Sequence, residues 1–159
     1  MSMPPLTLVH VIISLIGIGS GFIVLFGMFA GKRLDGWTVL FLTTTILTSV
    51  TGFIFFHFEK VTPGIILGVL SLIALGIAVY ACYSKKLAGG WRSTFVVAAM
   101  IAQWFNVFVL IAQIFQKVPA ANALAPTPKA PAFLITQTVV MIIFIVLIII
   151  AVKRFRTAA

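Results

Sequence analysis

An all-α bundle of five membrane-spanning helices is the fold that the sequence predicts, on three observations. Apolar runs long enough to cross a bilayer recur five times, residues that break helices fall between them, and basic side chains collect in the connections. Hydrophobic residues make up 62% of the chain and its mean hydropathy is +1.27, well above the apolar share of a soluble domain. The 11 basic and 2 acidic residues give a net charge of +9, which in a soluble protein would point to nucleic acid. Here the basic residues border apolar runs, so they read as a topology signal and as contacts to lipid headgroups, and no nucleic-acid partner is expected. The whole chain, 1–159, reads as one integral membrane domain.

The first run covers residues 6–30. MSMPPLTLVH ahead of it lacks a basic region, and residues 17–20 continue into more apolar sequence, so no cleavable signal peptide is expected. The second run, 37–58, is the stretch around which the chain is organised. Its 22 residues carry no formal charge, and as an α-helix they measure about 33 Å, the thickness of a bilayer's hydrocarbon core. Thr43, Thr44, Thr45, Thr48, Ser49 and Thr51 interrupt its middle, so this helix is expected inside the bundle. The third run is 64–83, the fourth 94–115 and the fifth 133–152. Between the last two, QKVPAANALAPTPKAPAF is too rich in Pro and Ala to continue either helix.

Orientation follows from the basic residues. With the first connection cytoplasmic, that side holds Lys32, Arg33, Lys85, Lys86, Arg92, Lys153, Arg154 and Arg156, against Lys60, Lys117 and Lys129 outside. The bias predicts an outer N-terminus and a cytoplasmic C-terminus. The two inner connections, KRLDGW and KKLAGGW, resemble each other. Two like-oriented hairpins plus a fifth helix would give that pattern, although basic residues and Trp are common at any cytoplasmic turn. Asp35 is placed to cap the second helix, with Gly36 easing the turn.

Packing signals are clearer than chemical ones. Gly17 and Gly21, Gly64 and Gly68, and Thr44, Thr48 and Gly52 repeat small residues four apart, the spacing that lets helices approach closely in lipid. The threonine stripe has a second reading as a polar path, but its hydroxyls can also bond to carbonyls of their own helix. In the fourth run Gln103, Asn106 and Gln113 fall within about 80° of one another. Amides in hydrocarbon need partners, so this stripe should face other helices, as interhelical glue or as a ligand-contacting surface.

Depth counting yields one candidate site. His10, His57, Gln113 and Gln137 all fall near the outer ends of their helices and should share one layer, lining a pocket roofed by the Pro-rich connection. Histidine ligates haem iron or hydrogen-bonds a quinone carbonyl, which makes haem b or quinone the cofactor class to consider. The competing reading has both histidines at the polar interface, bonded to headgroups, water or backbone. No metal site is expected: two histidines make a poor one, and the single cysteine, Cys82, excludes a multi-cysteine site and an internal disulfide. The sequence carries no Cys-x-x-Cys-His, phosphate-binding or dinucleotide loop, HExxH or Ser-centred motif. The only acids, Asp35 and Glu59, lie at helix ends, which argues against a carboxylate relay and assigns no catalytic residue.

The stretches RLDGWT, TSVTGF, NVFVLIAQ and KVPAANALAPT resemble a family of uncharacterised small inner-membrane proteins of proteobacteria, over nearly the whole chain. The resemblance implies a bacterial inner-membrane helical bundle and transfers no activity. Three functional classes are expected. The first, favoured by abundant small-residue faces and scarce reactive groups, is a non-enzymatic structural or accessory subunit, partnered by the lipid bilayer and by copies of itself or another membrane protein. The second is a haem b or quinone-binding redox protein, and the third an oligomeric channel or transporter component.

Overall fold

The computed structural model describes residues 4–55 and 61–155. Six α-helices account for most of them: α1 (Pro5–Phe29), α2 (Asp35–Phe55), α3 (Pro63–Val79), α4 (Trp91–Lys117), α5 (Pro119–Leu124) and α6 (Pro131–Arg154). Five are long and apolar enough to cross a bilayer, α3 doing so together with the π-helical turn Tyr80–Ser84 that extends it. The chain is a multi-pass, all-α membrane bundle. Its spans agree with the expected ones to within a few residues where both ends are described. The short α5 lies in the Pro-rich connection, where no helix was expected.

Proline sets most of the helix starts. α1, α3, α5 and α6 all open on one, because its fixed φ suits the first helical turn and its missing N–H has no partner to lose there. Thr62 adds a cap to α3, its hydroxyl accepting from the Ile65 N–H at 3.4 Å. Asp35 departs from its expected role. It is the first residue of α2 and pairs with Arg33, while the Leu34 carbonyl accepts from the Thr38 N–H at 2.8 Å. The carboxylate still lies in the first turn, where the helix dipole favours it.

α1 packs on α2 and α3 on α4, forming two like-oriented hairpins. Their connections differ in geometry. The first turns at Gly31, with φ of 69°. The second leaves a π turn, with Leu87 N–H donating to the Ala81 carbonyl at 3.0 Å, and then holds Lys86 and Leu87 left-handed at φ of 49° and 58°. The Leu87 side chain, 4% exposed, is buried beside Cys82 and Phe95 at the base of the bundle, and that burial opposes the cost of its backbone conformation.

The centre of the bundle is α4. It touches α1, α2, α3, α5 and α6, whereas α2, expected to hold that place, leaves Val39, Leu40, Leu47, Val50 and Ile54 exposed. The reason is steric: α4 presents Ala98, Ala99 and Ala102, all buried, and small side chains let several helices approach at once. The apolar core lies in the half nearer the basic connections, built from residues such as Leu25, Met28, Phe41, Leu75, Val96 and Met100. Phe155 seals that end, tilted against Phe95 with ring centroids 6.4 Å apart.

The small-residue faces are contact surfaces. A side chain at Gly17 would meet the Thr44 and Thr45 hydroxyls at 3.2 and 3.3 Å, and one at Gly68 would meet the Phe53 ring at 2.9 Å. Three threonines of α2 bond to their own helix: Thr44 donates to Leu40 at 2.6 Å, Thr48 to Thr44 at 2.8 Å and Thr51 to Leu47 at 2.7 Å. They therefore serve packing rather than a polar path.

Candidate functional site: the polar layer opposite the basic end

His10 projects from the second turn of α1 onto α2. Its ring lies on Gly52, where a side chain would stand 3.8 Å from Cε1. Its Nδ1 is 2.6 Å from the Thr51 hydroxyl oxygen. That hydroxyl also lies within hydrogen-bond distance of the Leu47 carbonyl, and the direction of the His10–Thr51 bond follows the imidazole's tautomer. The histidine is half-buried and faces α2.

Gln137 reaches from α6 to α4. It is 7% exposed and donates Nε2–H to the Phe108 carbonyl at 3.0 Å, while its Oε1 is buried without a partner. Gln113 is half-buried on α4 and makes no hydrogen bond among the described residues. His57 lies outside the described residues.

Two cross-helix bonds fix the depth of this layer. Gln103 of α4 bonds to Ile18 of α1, and Asn106 of α4 to Thr45 of α2. α1 runs antiparallel to α4, so moving from Ile18 to His10 matches moving from Gln103 to Ile111. α2 runs parallel to α4, so moving from Thr45 to Thr51 matches moving from Asn106 to Ala112. His10 therefore lies about level with Gln113 and within roughly one turn, 5.4 Å, of the Phe108 carbonyl that binds Gln137. The three described members share a depth. Their contacts differ: His10 bonds to α2 and Gln137 to α4, and Gln113 bonds to neither.

A second polar set, half a span deeper, is the more tightly built. Gln103 is fully buried and donates Nε2–H to the Ile18 carbonyl at 2.8 Å. It does so over Gly21, whose missing side chain leaves room for the amide. Asn106 Nδ2–H donates to the Thr45 hydroxyl at 3.3 Å; nearer the His10 layer, Ser49 of α2 meets Ser71 of α3 at 3.5 Å. The amide stripe was legible in the sequence, but its pairing with the Gly17–Gly21 face was not. One signal for it existed: a long amide on one helix and a small-residue notch on another, at equal depth. Among the described residues, the Oε1 atoms of Gln103 and Gln137 and the Trp104 Nε1 are buried without hydrogen-bond partners.

At the basic end Cys82 is 3% exposed, with an Arg33 guanidinium nitrogen 3.9 Å from its Sγ. It packs in the apolar cluster, as a small hydrophobe does. Among the described residues no group of three or more His, Cys, Asp or Glu is arranged to hold a metal ion.

Comparison with family models, curated proteins and solved structures finds no match to this chain.

Proposed function

We propose that the chain is a non-enzymatic structural or accessory subunit of a bacterial inner membrane, with its N-terminus outside and its C-terminus cytoplasmic. One observation carries this reading. The described polar side chains with cross-helix bonds spend them on a neighbouring helix: His10 on Thr51, Gln103 on Ile18, Asn106 on Thr45 and Gln137 on Phe108. Amides and hydroxyls used this way tie helices together where the hydrophobic effect cannot. The distribution of basic residues supports the orientation, and the likeness of RLDGWT, TSVTGF and NVFVLIAQ to the proteobacterial family supports the inner membrane.

A second reading, a haem b protein, is supported by the place of His10, half-buried in the polar layer and held against α2 through Nδ1, since ligation of iron is a chemistry open to histidine. The absorption spectrum of the detergent-purified protein separates the readings. The accessory subunit is colourless beyond its aromatic absorption. A Soret band lost in His10→Ala and in His57→Ala would overturn it in favour of haem.

A further inference from the structure

Between α3 and α4, on the face turned away from the other helices, runs an open groove of about 510 Å³. Ala74 and Ala98 lie low in it, and Ile73, Ile77, Val97 and Ile101 flank them. Ser93 and Thr94 line its basic end, and Phe105 lines it furthest from there. One turn beyond, Tyr80 and Trp91 meet edge to face with centroids 5.3 Å apart, and the Lys85 ammonium lies over both rings at 5.5 and 5.7 Å. From Thr94 to Phe105 the groove is about 16 Å long, close to half of a hydrocarbon core of roughly 30 Å.

We propose that this groove is a binding site for one anionic phospholipid, its acyl chain lying between α3 and α4 and its phosphate meeting Lys85 and the Ser93 hydroxyl. Length decides the occupant. The groove itself is one leaflet deep, the reach of an acyl chain from headgroup to midplane. Charge decides the headgroup: the mouth carries Lys85 and Lys86 in sequence, and the described acid nearest in the chain, Asp35, is paired with Arg33 on another connection. The aromatic pair below the ammonium sits where amphipathic rings settle at the interface.

The test is native mass spectrometry of the full chain, purified in mild detergent and exposed to equal amounts of phosphatidylglycerol and phosphatidylcholine with identical acyl chains. The expected result is one retained lipid, with phosphatidylglycerol favoured roughly fivefold, the worth of one lysine facing an anionic headgroup. Lys85→Ala should abolish that preference, and Val97→Trp, which fills the groove, should reduce retention of both lipids. Lys153→Ala, an exposed basic residue on α6, should change neither. Equal retention of the two lipids by the unaltered chain overturns the site, as does a preference that survives Lys85→Ala or falls equally with Lys153→Ala. Retention unchanged by Val97→Trp, or a second copy of the chain in place of the lipid, overturns the groove as its location. Should Val97→Trp fail to fold, the two lysine variants, both at exposed positions, still decide the matter.

Discussion

Gln103 rests its amide on Gly21 and donates to the Ile18 carbonyl one turn away, 2.8 Å from its Nε2. The bond needs the notch, because a side chain at residue 21 would occupy the space that the amide fills. The α1–α4 contact is therefore a polar bond made possible by a missing Cβ, at the depth where lipid tails offer no alternative partner.

Gly21→Leu should destabilise the bundle, by about 1–3 kcal/mol as an overpacked site, read as a lowered melting temperature in detergent. Gly19→Ala and Gly76→Ala, where a Cβ meets nothing within 4 Å, should leave it unchanged or raise it slightly through helix propensity. Equal losses in all three would mean that Gly21 is no contact point.

Gly68→Leu should also lower the melting temperature, since the Phe53 ring stands 2.9 Å from where its Cβ would lie. The loss should be smaller than at Gly21, because Gly68 and Phe53 are only half-buried and a ring can move further than a buried amide. Ala30→Leu, at an exposed position, is the neutral reference.

Lys86→Gly should stabilise the second connection by about 1 kcal/mol, since a φ of 49° costs a lysine what it does not cost glycine. Thermal unfolding reads the gain. A loss would show that the lysine side chain contributes more than its backbone strain removes.

Reporter fusions test orientation. Alkaline phosphatase fused after Ala125 should be active and after Ala88 inactive, because the basic residues near Ala88 are retained on the cytoplasmic side. The reverse pattern would invert the bundle and place the His10 layer on the cytoplasmic face.

The five spans were legible because each apolar run is bounded by basic, glycine or proline residues, and length alone then fixes the number of crossings. Depth was legible too: counting along antiparallel helices placed His10, Gln113 and Gln137 in one layer, and the cross-helix bonds agree. Azimuth was not. Whether Gln113 turns toward Gln137 depends on how α4 and α6 are rotated against each other, and α6, apolar all round, has no one-sided face to set that angle. The central place of α4 was hidden for a related reason, since polarity drew attention to the threonines of α2 while closeness of approach was decided by the alanines of α4. The same blindness concealed the groove between α3 and α4, where the small Ala74 and Ala98 are buried.

The role of the polar side chains is tested most directly by unfolding free energies of Gln103→Met, Gln137→Met and His10→Leu, measured by detergent titration from mild to denaturing. Each substitution puts an apolar side chain of similar size in place of the polar one and removes one cross-helix bond. Each should cost roughly 0.5–2 kcal/mol, the range for hydrogen bonds between membrane helices, and the purified protein should remain colourless throughout. Unchanged stability in all three variants, together with a visible absorption band that His10→Leu removes, would show that the polar side chains do not hold the helices together and that the His10 layer binds a cofactor.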